Sequence, residues 1–179
     1  MEGDDSLLER IKRHDQSALA EVHERYFDQI YHYLNYRLND PDAAADLAGE
    51  VFLALVNALK NKKSPQTSVS GWLYAVARNL AADHLKKKVV TMPLMDDLVA
   101  DTPSLTDQVH LAQLAPMLKQ AMHQLTDEQQ HVIALRFGQG LSLIETATAM
   151  DKTVGAIKAL QHRALASLAR IMPPEVDHD

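Results

Sequence analysis

The 179-residue chain contains no cysteine, which excludes a disulfide framework and any thiolate metal site. Aromatic residues make up only 5%, and there are just six glycines and seven prolines. Strand and turn formers are therefore scarce while Ala and Leu abound, a balance that predicts an all-α protein. No apolar run approaches the ~20 residues needed to cross a bilayer, so no membrane insertion is expected. The segment from Met1 to Ser6 is acidic rather than basic and then apolar, unlike a secretory leader, and a cytoplasmic location is the expectation. The nine histidines are scattered with no His-x-x-x-His pair, so neither a metal nor another cofactor is expected.

Positive charge is scarce as well. The net charge is −6, but it is unevenly spread: residues 1–59 carry −7, residues 60–90 carry +6, residues 91–118 carry −4 and residues 119–179 carry −1. A basic island thus sits in an acidic chain. Phosphate contacts dominate affinity for nucleic acid, so such a chain would bind free DNA poorly, and a larger partner is expected to supply much of the affinity.

Apolar residues make up 46%, enough for a packed core. Leu19, Val22, Tyr26, Ile30 and Leu34 recur at three- and four-residue spacing and predict a helix over 16–38. Pro41, after Asn39-Asp40, suits a first helical turn, and Leu47, Val51, Leu55 and Leu59 predict a second helix over about 42–59. The stretch 60–70, KNKKSPQTSVS, reads as a basic polar loop, followed by a helix over about 71–88 ending in three lysines, where cations suit the helix dipole. Two prolines and no clear period mark 89–106 as a linker. The helical period returns near Asp107, with Pro116 either kinking that segment or starting a new helix. Four boundaries follow: a domain at 1–90, an acidic linker at 91–112, a second domain at 113–172 and a tail at 173–179.

The most informative stretch is 141–171. Ser142 with Glu145 is a capping-box pattern opening a short helix, Leu143 to Met150, along which Ile144, Ala147 and Met150 fall at three-residue steps. Asp151-Lys152-Thr153 reads as a tight turn, with Thr153 able to cap a longer helix from Val154 to about Ile171. Short helix, turn and longer helix make a helix-turn-helix. At ~100° per residue, Ile157, Leu160, Ala164, Leu168 and Ile171 gather on one side as core, while Gly155, Lys158, Ala159, His162 and Arg163 lie on the other. Small residues there allow close approach to DNA and the cations can reach phosphates or base edges. A basic solvated face of a plain bundle has the same pattern.

Residues 125–170 resemble region four of the bacterial sigma factors, matching at Leu125, Gln129, Val132, Ile133, Leu135, Arg136, Gly140, Leu141, Ser142, Glu145, Ala147, Val154, Gly155, Lys158, Arg163, Ala164 and Leu165. The departures are Thr126 for proline, Leu160 for a common arginine and Gln161 for leucine. Residues 18–88 resemble sigma region two: DPDAAADLAGEVFLALVNAL is similar to the segment that grips the polymerase clamp helices, and GWLYAVARNLAADHLKKK to the one facing the minus-ten element. Gly49 departs from a frequent glutamine. With only these two regions, the chain is identified as a member of the extracytoplasmic-function (ECF) sigma factors.

The resemblance implies an all-α protein of two small helical domains, with core RNA polymerase, promoter DNA and an anti-sigma factor as partners. It implies a clamp-binding surface of Asp46, Leu47, Glu50, Val51, Phe52 and Leu55. Minus-ten binding would fall to Lys60, Lys62, Lys63, Trp72, Arg78, Asn79, Lys86 and Lys87. Minus-thirty-five binding would fall to Thr153, Gly155, Lys158, Ala159, His162 and Arg163. Trp72 could stack beside an unpaired strand or simply be core. The acidic linker, with Asp96, Asp97, Asp101 and Asp107, could stand in for RNA inside the polymerase or merely keep an exposed tether soluble. Two rival functions follow from the residues alone. A conventional helix-turn-helix regulator would account for 140–171 and would bind duplex DNA unaided. The Asp83-His84 dipeptide occurs in metal phosphohydrolases, but a metal site needs further ligands.

Overall fold

The structure is a computed structural model that describes residues 2–91 and 108–172, with side chains described over 6–88 and 116–172. The expected linker and tail lie largely outside the described residues, and so do all four linker aspartates. Within the described residues the chain is built of helices and contains no strand, as the composition predicts.

Helix α1, Glu2–Lys12, is absent from the sequence reading, although Leu7, Leu8 and Ile11 have helical spacing and are buried. Arg10 fastens it to its neighbour: the guanidinium donates to Asp15 at 3.0 Å, Glu21 at 2.5 Å and Ser17 Oγ at 2.9 Å. Those hydrogen bonds hold the Asp15 carboxyl down to about 2, with Ser17 contributing most and Arg10 next. Asp15 also caps α2, Gln16–Leu38, by accepting from the Ser17 N–H. Asn39 closes α2 in the left-handed conformation (φ 49°), a role Asn fills better than most residues. Helix α3, Pro41–Lys60, opens on Asp40 as N-cap with Pro41 in its first turn.

Helix α4, Val69–Thr91, begins two residues before Gly71 because Ser68 Oγ accepts from the Gly71 N–H at 3.0 Å. Helices α2, α3 and α4 pack on one another, with α1 against α2 and α4. The Lys88 ammonium lies 3.8 Å from Asp40. That contact puts the end of α4 beside the start of α3, so the two run antiparallel.

In the second domain, α5, Gln108–His123, continues through Pro116 without interruption. Helix α6, Asp127–Ile133, opens on a full capping box: Gln129 N–H donates to Thr126 Oγ1 at 3.3 Å, and Thr126 N–H to Gln129 Oε1 at 3.1 Å. Thr126, a departure from the family's proline, therefore has a local task that proline cannot perform. Helix α6 passes into a single π-helical turn, Ala134–Gly138, and Gly140 follows at φ +68°, where a side chain would be strained. Helices α7, Leu143–Met150, and α8, Val154–Ile171, have the expected bounds. The Ser142–Glu145 capping box and the Thr153 cap are both formed. Of the three residues at three-residue steps along α7, Ile144 is 56% exposed, while Ala147 and Met150 are buried.

The two domains share one core. Leu73, Tyr74 and Ala77 of α4 belong to the same buried cluster as Leu135, Leu141, Ala147 and Met150. A smaller cluster of Ala121, Met122, Leu125 and Leu168 ties α5 to α8.

His131 titrates out of its usual range. Burial lowers its pKa to about 4, and the positive charges of Arg37 and Arg78 push the same way. Its Nδ1–H donates to the Asp127 carbonyl at 2.7 Å, which opposes the lowering only in part, and the buried ring sits neutral in the fold. The unfolded chain therefore binds more protons than the folded one between pH ~6.5 and ~4, and stability rises with pH across that window. His131 contributes no penalty above pH ~6.5; the penalty grows as pH falls and levels off at up to about 3 kcal/mol below pH ~4. Urea titrations at pH 7 and 4.5 should show the parent losing stability more steeply than His131→Leu. Equal losses in the two proteins would refute a buried neutral ring.

Candidate nucleic-acid and polymerase interfaces

Helix α8 divides as the 100° reading expects. Ile157, Leu160, Ala164 and Leu168 are buried, while Thr153, Gly155, Lys158, Ala159, His162 and Arg163 are exposed. Leu160, where the family often has arginine, is 5% exposed and faces the core. Gln161, the other departure on this helix, turns away from the exposed face: its Oε1 accepts from Arg136 Nε at 2.9 Å, while Arg136 Nη1 also donates to the Leu141 carbonyl. Arg136 thereby joins the π-turn, the loop before α7 and helix α8. The Lys152 ammonium in the tight turn pairs with Glu128 of α6 at 2.7 Å, and that hydrogen bond holds the Glu128 carboxyl below its usual range. Glu128 and His131 have the spacing of a metal-ligand pair, but one faces Lys152 and the other is buried. No group of three or more potential ligands occurs among the described residues.

The basic island of the first domain resolves into two ends. Lys60, Lys62 and Lys63 are exposed beside the start of α4, and Lys86 and Lys87 are exposed near its far end. At ~1.5 Å per residue, the 23 residues of α4 separate the two by roughly 30 Å. Between them Asn79 is exposed, whereas Trp72 is half-buried and packs against the core. Arg78 is also half-buried, and its Nη1 donates to the Ala149 carbonyl of α7 at 3.2 Å.

On α3, Asp46 and Glu50 are exposed one turn apart. Leu47, Val51, Phe52 and Leu55 are not available beside them: all four are buried, against α2 and α4, with exposures of 9% or less. Their place on the surface is taken by Leu53, 59% exposed, which the sequence reading passed over. Its signal was its spacing: Leu53 lies three residues after Glu50 and seven after Asp46, on the same stripe. A Cβ at Gly49 would meet nothing within 4 Å, so the missing side chain leaves that stripe flat rather than filling a packing need.

Comparison with known proteins gives this arrangement its context. The chain matches Sigma-70 region 2 over residues 22–90 and Sigma-70, region 4 over residues 121–170. It is 35% identical to the ECF RNA polymerase sigma factor BldN of Streptomyces coelicolor, covering 94% of this chain and 66% of that protein's length. It is 30% identical to the ECF RNA polymerase sigma factor SigX of Bacillus subtilis, covering 84% of this chain and 81% of the relative. This chain belongs to the ECF RNA polymerase sigma factors. Such proteins are DNA-binding regulatory proteins that direct promoter-specific transcription.

The sigma factor shares its fold with two solved structures at 18% identity. One is CnrH in complex with the cytosolic domain of CnrY, with TM-score 0.66 over 97% of this chain and 99% of that one. The other is the sigma factor RpoE in complex with the anti-sigma factor NepR from Bartonella quintana, with TM-score 0.68 over 89% and 98%. A conventional regulator would leave the match of residues 22–90 unexplained, so that rival is not favoured. No described helix is long and apolar enough to cross a membrane.

Proposed function

We propose that this sigma factor divides its work among three surfaces. The exposed stripe of Asp46, Glu50 and Leu53 on α3 docks on core RNA polymerase. The loop and helix over 60–88 read the minus-ten element, with the lysines holding phosphates and Arg78 and Asn79 facing the opened strand. The face of Thr153, Gly155, Lys158, Ala159, His162 and Arg163 on α8 reads the minus-thirty-five element. The domains run over 1–90 and 113–172, the protein works in the cytoplasm, and it carries no catalysis of its own. An anti-sigma factor, of the kind seen with the RpoE neighbour, holds it silent.

The observation that carries this reading is the division of α8. Every residue assigned to the minus-thirty-five element is exposed, and the apolar residues that seat the helix are buried. The test is run-off transcription with core polymerase, beside a mobility-shift assay without it. The protein should direct promoter-dependent transcripts with core and bind the same duplex only weakly alone, as an acidic chain must. Nanomolar duplex binding by the free protein, with no core-dependent transcript, would overturn the proposal in favour of a conventional regulator.

A further inference from the structure

The turn of the helix-turn-helix carries a cation that lies outside the face assigned to DNA. Lys152 comes one residue before Thr153, the N-cap of α8. In this motif the second helix meets base edges through its N-terminal residues while the first crosses the backbone, so the turn joining them lies against the sugar-phosphate chain. An ammonium there has a natural partner in a phosphate oxygen. It is already taken: Lys152 Nζ donates to Glu128 Oε1 at 2.7 Å.

Glu128 stands at the edge of the same face. It lies in the first turn of α6 beside Asp127, and the next residue, Gln129, lines a cleft together with His162, Arg163 and Arg170 of α8. Helix α8 contains no acid of its own, so the packing of α6 on α8 is what brings a carboxylate to these cations. The Lys152 hydrogen bond does most to hold that carboxyl below its usual range, and the charges of Arg78 and Arg163 act in the same direction. Its side chain is 60% exposed, and an ion pair in such a position does little for the fold. What the pair does change is the charge offered to DNA. A phosphate contact releases a counterion and strengthens correct and incorrect sites alike. An acid that withholds one such contact leaves more of the binding to the base edges.

We propose that Glu128 sets the selectivity of the minus-thirty-five contact: it occupies the Lys152 ammonium, keeps that cation from the DNA backbone, and so weakens binding to every sequence until only promoters with good base contacts are used. The proposal rests on the assignment of α8 to the minus-thirty-five element.

The test is equilibrium binding of the reconstituted holoenzyme, across a salt series, to a promoter fragment recovered by run-off transcription and to the same fragment with its minus-thirty-five element replaced. Glu128→Gln keeps the size and polarity of the side chain and frees Lys152. One added phosphate contact steepens the log–log salt dependence by about 0.9, which is about eightfold in affinity at ~0.1 M salt. Both fragments should gain alike, and transcripts should appear from templates that the parent leaves silent. Combining Glu128→Gln with Lys152→Gln should return the slope to the parent value. Asp127→Asn removes the same charge one residue away, where no ion pair exists among the described residues, and should leave the slope unchanged. Unfolding midpoints of all these variants should stay within about 3 °C of the parent. An unchanged slope for Glu128→Gln would overturn the proposal, and so would an equal gain from Asp127→Asn or with Lys152→Gln in place; a parent that still prefers the intact fragment would keep the assignment of α8. A parent holoenzyme indifferent to replacement of the minus-thirty-five element would overturn that assignment, and the proposal with it.

Discussion

Asp46→Arg combined with Glu50→Arg should abolish co-purification with core polymerase, lowering affinity at least a hundredfold, which is about 2.7 kcal/mol. Both carboxylates are exposed, and neither forms an ion pair among the described residues. Reversing their charge therefore removes no support from the fold, and the unfolding midpoint should move by no more than ~2 °C. At a basic docking surface, by contrast, two attractions become two repulsions, and like-charge juxtaposition at an interface costs several kcal/mol. Leu53→Ala should weaken the same interaction without unfolding the protein, because Leu53 is mostly in solvent. Leu55→Ala behaves differently: a leucine 1% exposed leaves a cavity and costs ~2–5 kcal/mol of stability. Undiminished co-purification of the double charge reversal would refute the clamp assignment. Loss on Leu53→Ala alone would move the binding surface toward the apolar part of the stripe.

Lys158→Ala and Arg163→Ala should each reduce transcription from a promoter that depends on its minus-thirty-five element, while core binding is retained. Both side chains are exposed on the face proposed to meet DNA, away from the buried residues that seat α8. The two contact types are separable. A side chain on a base edge contributes ~1–3 kcal/mol of discrimination, so its loss flattens the difference between the correct and a substituted element. A side chain on phosphate weakens all sequences alike and lowers the salt dependence by about one counterion. A panel of promoters carrying single base changes, transcribed at several salt concentrations, distinguishes them. Normal transcription by both variants on every template would mean that another face of α8 meets DNA.

The helices that were legible in the sequence are those with a chemical mark at their ends. Asn39 closes α2, Pro41 opens α3, and Ser142 with Glu145 and then Thr153 open α7 and α8; each mark is a local hydrogen bond or a fixed dihedral. Helix α1 went unread because its three core residues make too short a periodic run to stand out, and its real anchor is Arg10, whose partners are known only once α2 is in place. The misplacement of Leu47, Val51, Phe52 and Leu55 has a different cause. An apolar stripe on an amphipathic helix looks the same whether it meets another helix of the chain or a separate protein. Only the packing of α2 and α4 against α3 decides the matter. The junction of the domains was unreadable for a related reason. Gly71 looks like an ordinary helix start and Glu145 like an ordinary capping residue, and both have a second partner far away in sequence.

Arg136 and Gln161 bear on how promoter choice could be re-engineered. A recognition helix taken from a relative with leucine at position 161 would bring that relative's reading residues but would leave the half-buried guanidinium of Arg136 short of one acceptor. An unsatisfied group of that kind costs ~1–3 kcal/mol, and the two positions would not behave additively. Helix-swap chimeras of this sigma factor should therefore carry positions 136 and 161 from the same parent, so that specificity is inherited as a pair of sites rather than as a single helix.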